Sequence, residues 1–180
     1  MLKKFYPYEY VKSVFDIDYK KLYDLGYRGV IFDIDNTLVH HGEDSTPEVD
    51  ELFKEIHSAG LKTLLLSNNN TERIERFLRN IDSLYIPYAD KPKVANYHKA
   101  INMLELNPSE VVFVGDQLFT DIYGANKCGI ANILVKYLQY DTETKIGKKR
   151  TVEKYILKLY KLHKSYQHRI GDIHKERRYY

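Results

Sequence analysis

Four short apolar runs, each bounded by polar or turn-forming positions, punctuate the chain at Gly29–Phe32, Thr63–Leu66, Val111–Val114 and Asn132–Val135. Runs of this length that do not alternate with polar residues predict strands buried on both faces. Leu84–Tyr88 is a weaker fifth. Between them, apolar positions recur at helical spacing over Pro47–Ser58, Thr71–Arg79, Lys93–Leu104 and Thr120–Lys127. Thr46 before Pro47 and Asn70 before Thr71 are start signals, and Gly60 and Gly129 sit just past two helix ends. Strands alternating with helices predict an α/β fold of Rossmann-like type, a parallel sheet with helices on both faces. The ligand site of such a sheet lies at the carboxyl ends of its strands.

The chain of 180 residues fits one domain with extensions. We expect a tyrosine-rich N-terminal arm over 1–27, packing aromatic rings on the core, then a core over 28–140 and a basic helical extension over 141–180. No run approaches the roughly eighteen apolar residues of a membrane span. Lys3 and Lys4 are followed by Phe-Tyr-Pro-Tyr-Glu-Tyr instead of an apolar run, which argues against a signal peptide and for a cytoplasmic location. Cys128 is the single cysteine, so an internal disulfide and a zinc site of paired thiolates are both excluded. Its reading as a small buried hydrophobe is the simplest. Charge is uneven: residues 145–180 carry 12 Lys and Arg against 3 Asp and Glu, whereas the rest carries 16 against 22. An acidic body with a basic tail points to an anionic partner, and nucleic acid, ribosome and lipid surface stay open.

The chemistry gathers where strands end. Asp33-Ile34-Asp35-Asn36-Thr37 puts two carboxylates one residue apart, and such a pair repels unless a cation lies nearby. Ser67-Asn68-Asn69 offers a hydroxyl and backbone N–H groups opening onto a helix, suited to a phosphate oxygen. Ala89-Asp90-Lys91-Pro92 offers a cation, and Gly115-Asp116-Gln117-Leu118-Phe119-Thr120-Asp121 a glycine turn with two more acids. Each taken alone reads as a turn, a cap or a surface lysine. Nucleophile, hydroxyl, cation and metal acid, following one another at successive strand ends, make a phosphoryl-transfer set.

With these four motifs the chain resembles the haloacid dehalogenase superfamily over roughly residues 28–136. Tyr10-Val11-Lys12-Ser13-Val14-Phe15-Asp16-Ile17, Ser67-Asn68-Asn69-Asn70 and Gly115-Asp116-Gln117-Leu118 narrow the likeness to its YqeG-type subgroup, similar to mitochondrial phosphatidylglycerophosphate phosphatase. The resemblance implies a Mg2+-dependent phosphatase with Asp33 as nucleophile and Asp35 as general acid and base. It implies Mg2+ held by Asp33, Asp35 through its backbone carbonyl, and Asp116, with Thr37 supporting from behind and Asp121 either doing the same or binding through water. Ser67, Asn68 and Lys91 bind the phosphate, Lys93 being the alternative lysine, and a phosphorylated lipid is suggested as substrate.

Only 34 residues separate Asp33 from Ser67 and 24 separate Ser67 from Lys91, too few for a cap domain, so the site is expected to be open to a large substrate. His40 and His41 follow the first motif and either line the mouth of the site or, as a loop pair without a partner, are solvated, the simpler reading. In the tail, Val152, Tyr155, Ile156, Leu159 and Tyr166 fall on one side of a helix whose remainder carries Lys154, Lys158, Lys161 and Lys164. That helix either docks on the core or binds an anionic membrane peripherally. The competing functions are a protein or nucleic-acid phosphatase and a ribosome- or GTPase-associated binding factor.

Overall fold

The computed structural model describes residues 2–140 and 147–176. Six strands, β1 (Glu9–Val11), β2 (Gly29–Phe32), β3 (Lys62–Leu66), β4 (Leu84–Ile86), β5 (Val111–Gly115) and β6 (Ala131–Val135), pair in parallel in the order β1-β6-β5-β2-β3-β4. The helices are α1 (Tyr19–Asp24), α2 (Pro47–Ser58), α3 (Thr71–Phe77), α4 (Ala95–Leu104), α5 (Tyr123–Lys127) and α6 (Lys148–Leu162).

The side-chain period of two explains the layers. Val30 and Phe32 of β2 pack with Val112, Val114 and Ile133 against Phe53 and Ile56 of α2 and Ile74 and Phe77 of α3. Ile31 between them turns to the opposite face, where Leu64, Leu66 and Phe113 meet Tyr97, Ile101 and Leu104 of α4 and Ala125 of α5. The sheet is thus covered on both faces, as the continuous apolar runs predict. β2 is its centre, so the chain leaves the middle of the sheet at Asp33. No separate cap domain is inserted among the described residues.

Local signals set the helix starts. The Thr46 hydroxyl accepts the Val49 N–H at 3.3 Å with Pro47 in the first turn, and the Asn70 side chain accepts the Arg73 N–H at 2.9 Å. The expected helix over Thr120–Lys127 divides: Leu118–Ile122 is a wide π-type turn, in which the Ile122 N–H bonds the Gln117 carbonyl, and α5 follows it.

Two elements depart from the sequence pattern. β1 was not expected as a strand; it lies in the segment read as an arm and pairs Glu9, Tyr10 and Val11 with Ile133, Leu134 and Val135. The aromatic rings of that segment are used as anticipated, with Tyr6 and Tyr19 buried. The tail helix corrects the expected stripe. Of Val152, Tyr155, Ile156 and Leu159, only Ile156 is buried, and Tyr166, in the turn after α6, packs edge-on against Tyr6; the docked face of α6 is Glu153, Ile156 and Tyr160, flanked by Leu157. These pack with Tyr6, Leu118, Ile122 and Leu134, while Val152, Tyr155, Leu159 and Leu162 face outward. The boundary expected at residue 141 lies outside the described residues.

Candidate active site

Four strand ends converge on one cavity of about 190 Å³, lined by Asp33, Asp35, Ser67, Asn68, Asn69 and Lys91, with Asn36, His41, Gln117 and Thr120 completing the wall. Its floor is ionic. The Lys91 Nζ lies 2.7 Å from the Asp33 Oδ1 and 2.7 Å from the Asp121 Oδ1. Asp121 is fully buried, and its Oδ2 accepts the backbone N–H groups of Asp116 and Gln117 at 3.2 and 3.0 Å. That approach explains the glycine before Asp116, because a Cβ on Gly115 would stand 2.5 Å from the Asp121 Oδ2. Thr37 donates its hydroxyl to the Asp116 Oδ1 at 3.3 Å. Asp33, Asp116 and Asp121 offer carboxylate oxygens within 4.8 Å of one another, a spacing that a single cation can bridge.

Asp33 and Asp121 thus share Lys91 while Asp116 pairs with Arg150, so three buried acids face two cations and the surplus negative charge raises the proton affinities of Asp33 and Asp116. Burial, with Asp121 and Asp116 adding repulsion, pushes the Asp33 carboxyl well above its usual range against the pull of Lys91. Burial and then Asp121 push Asp116 up to about 6, with Arg150 and Lys91 opposing. Burial favours loss of the Lys91 proton, but Asp121 and Asp33 outweigh it and hold the ammonium firmly charged.

Asp35 lies nearer the mouth in different company. Its Oδ2 accepts the Asn69 Nδ2 at 2.6 Å, and its Oδ1 accepts the Gly42 N–H at 3.0 Å and the Arg73 Nη2 at 3.2 Å. The His41 Nδ1 stands 3.5 Å from the same carboxylate. Burial alone would raise this carboxyl, but the Asn69, Gly42 and Arg73 contacts outweigh it and hold it below the usual range. Ser67 also contacts Asn69, its hydroxyl accepting the Asn69 N–H at 3.1 Å and the Asn69 Nδ2 at 3.0 Å. Asn68 holds the lysine loop by accepting the Lys91 N–H at 2.9 Å. Lys93, the alternative lysine, pairs with Asp90 on the surface, so Lys91 is the one in the cavity.

The structure brings Asp33, Asp35, Ser67, Asn68, Lys91, Asp116, Asp121 and Thr37 together, and adds three neighbours that the sequence motifs did not mark, Arg73, Arg150 and Glu153. Asn69 and Arg73 position Asp35, and His41, exposed to solvent, lines the mouth facing Asp35. His40 stacks on Tyr140 at 3.9 Å. Arg150 and Glu153 reach the Asp116 loop from α6. The one local signal for the last two is an acid embedded in a basic helix, three residues after an arginine. The Nε and Nη1 of Arg73 are buried without a hydrogen-bond partner.

Comparison with known proteins agrees with this geometry. The haloacid dehalogenase-like hydrolase family matches residues 41–129. The probable phosphatase YqeG of Bacillus subtilis (strain 168) is 39% identical over 137 residues, covering 75% of this chain and 80% of that protein. An uncharacterized protein from Listeria monocytogenes serotype 4b has the same fold at 20% identity and a TM-score of 0.53, covering 75% of this chain and 99% of that one. NagD from E. coli K-12 does so at 15% identity and a TM-score of 0.50, covering 68% and 94%. The two structural likenesses concern the fold alone; an identity of 39% across four-fifths of a relative goes further, and with it this chain belongs to the haloacid dehalogenase-like hydrolases, in their phosphatase branch.

Proposed function

We propose that the chain hydrolyses a phosphate monoester through a phosphoaspartate on Asp33, with Mg2+ as cofactor. We further propose a lipid phosphate, such as phosphatidylglycerophosphate at an anionic membrane surface, as its substrate. The observation that carries the chemistry is Asp33 itself, leaving the central strand into a cavity of about 190 Å³ beside a buried lysine. Carboxylates in surplus over cations, all hard oxygen donors, fit a hard divalent ion. Asp33, Asp116 and the backbone carbonyl of Asp35 would hold Mg2+, which when bound neutralises charge on the transferring phosphoryl group.

The residues then divide the work. An Asp33 carboxylate oxygen attacks phosphorus, the ester P–O bond breaks, and Asp35 gives a proton to the leaving oxygen. Water next attacks the phosphoaspartate, Asp35 takes a proton from it, and phosphate departs with Asp33 restored. Lys91 and the Ser67 hydroxyl hold the equatorial oxygens. The contacts of Asp35 favour its ionised form, which suits the second half-reaction; a phosphate dianion beside it raises its proton affinity for the first.

The absence of a cap among the described residues and the outward face of α6 support a large substrate. Val152, Tyr155, Leu159 and Leu162 are exposed there at helical spacing, and Lys148, Lys149, Lys154, Lys158 and Lys161 are exposed along the same helix. Each basic residue near an anionic surface adds about 1 kcal/mol, enough for reversible attachment. No helix among the described residues is long and apolar enough to cross a membrane.

The test is phosphate release from phosphatidylglycerophosphate, phosphopeptides, 3′-phosphorylated oligonucleotides and an aryl phosphate, with Mg2+ and with chelator. Release that is insensitive to chelation removes the metal. A faster rate on the peptide or oligonucleotide removes the lipid. Sedimentation with anionic vesicles, native chain against Tyr155→Glu/Leu162→Glu, tests attachment without disturbing the docked face; equal binding of both excludes the α6 surface.

A further inference from the structure

α6 is built into the site as well as docked beside it. The loop leaving β5 presents four successive backbone N–H groups, from Asp116 to Phe119, and two carboxylates take all of them. Asp121 takes the first two. Glu153 of α6 takes the others, its Oε1 accepting Leu118 at 2.8 Å and Phe119 at 3.4 Å. Glu153 is buried, so it is held by this loop and by Arg150, whose Nη1 reaches its Oε2 at 3.1 Å. The same Nη1 donates to the Asp116 carbonyl at 2.8 Å, and the Arg150 Nη2 donates to the Asp116 Oδ2. The guanidinium lies over the Tyr137 ring at 4.6 Å, which fixes its plane.

Asp116 therefore has one oxygen on Thr37 and the other on a fixed cation. We propose that Arg150, oriented by Glu153, is a positioning residue for the metal centre: it aims the Asp116 carboxylate and, as a permanent positive charge on it, keeps divalent-ion affinity low enough for exchange. This rests on the metal reading of the site given above. The physical content is a competition. A carboxylate already paired with a buried guanidinium attracts a second cation less strongly, and removing the first strengthens the second. Loss of a merely structural contact would loosen the loop and weaken the ion. Tightening is therefore the signature of the competition.

The experiment uses the full chain and titrates Mg2+ alone, by calorimetry and by the shift in melting temperature, on native protein, Arg150→Gln and Arg150→Lys. Arg150→Gln should bind Mg2+ roughly five- to tenfold more tightly, the size expected of one adjacent charge. Its turnover at saturating Mg2+ should fall, because Asp116 loses its aim. Arg150→Lys keeps the charge without the fork and should bind Mg2+ with near-native affinity. Unchanged or weaker binding in a folded Arg150→Gln overturns the inference alone. A native chain with no Mg2+ response overturns the metal reading and this inference with it. If Arg150→Gln melts too low to titrate, Arg150→Lys decides: near-native affinity supports the charge argument, and tightening overturns it.

Discussion

Asp33 and Asp35 stand two residues apart in one turn and titrate in opposite directions. Asp33 faces the buried floor, where it shares Lys91 with Asp121 and has Asp116 close by, and its carboxyl is driven up. Asp35 faces the mouth, where Asn69, the Gly42 N–H and Arg73 all donate to it, and its carboxyl is held down. Burial opposes ionisation at both, and more completely at Asp33, which is buried, than at Asp35, which is partly buried. At Asp33 two like charges add to that burial, whereas at Asp35 the donors outweigh it. The floor holds three acids against Lys91 and Arg150, and the mouth is supplied with donors. A site so divided is primed to take up a positive ion on one side and to manage a proton on the other.

Substitutions should reveal that division in activity and stability together. Asp33→Asn should cost about 10⁴-fold or more in turnover, since no nucleophile remains, and should abolish trapping by beryllium fluoride. The same change removes one of three crowded acids, so its melting temperature without Mg2+ should equal or exceed that of the native chain. A clear drop would mean that the floor is not overcharged. Asp35→Asn should lose roughly 10²- to 10⁴-fold in turnover, the usual contribution of a proton-transfer group, while phosphate still binds. Here stability should fall, by about 1–3 kcal/mol, because the charged partner of Arg73 is gone. Equal stability in the two variants would erase the contrast.

Solution pH sharpens the same point. A carboxyl whose folded pKa is raised contributes stability that is full below its ordinary value and is lost as pH climbs through the folded one. For Asp116, moved from 3.8 to about 6, the loss lies between those values and amounts to at most about 3 kcal/mol. Mg2+ offsets it only where the acids are ionised. The Mg2+-induced rise in melting temperature should therefore be small at pH 5 and larger at pH 7.5. A rise that is independent of pH would show that the acids do not carry the ion.

The central strands and the four strand-end motifs were legible because each is written locally: a run of buried apolar residues, then the acid, hydroxyl or lysine. β1 was not, since Glu9-Tyr10-Val11 is three residues long and carries a buried acid. Arg73 was hidden because it reaches Asp35 across 38 positions from a helix that reads as ordinary. Glu153 was hidden for the opposite reason, being a charge on the docked face of a helix where periodicity looks for apolar residues. The stripe drawn through Val152 and Leu159 followed hydrophobicity, whereas the docking follows Glu153, Ile156 and Tyr160.

β1 has one more consequence, for solubility. It covers the outer edge of β6, and its own segment is covered in turn by the chain's late residues: the Arg169 N–H bonds the Tyr8 carbonyl at 3.1 Å, and His174 bridges Ile17 in antiparallel fashion. An uncovered strand edge is a template for another chain. Trimming this protein to its catalytic sheet at residue 28 would leave β6 with open carbonyls and amides along a wholly buried strand, and the shortened protein would meet that need by self-association, becoming sticky before it became inactive.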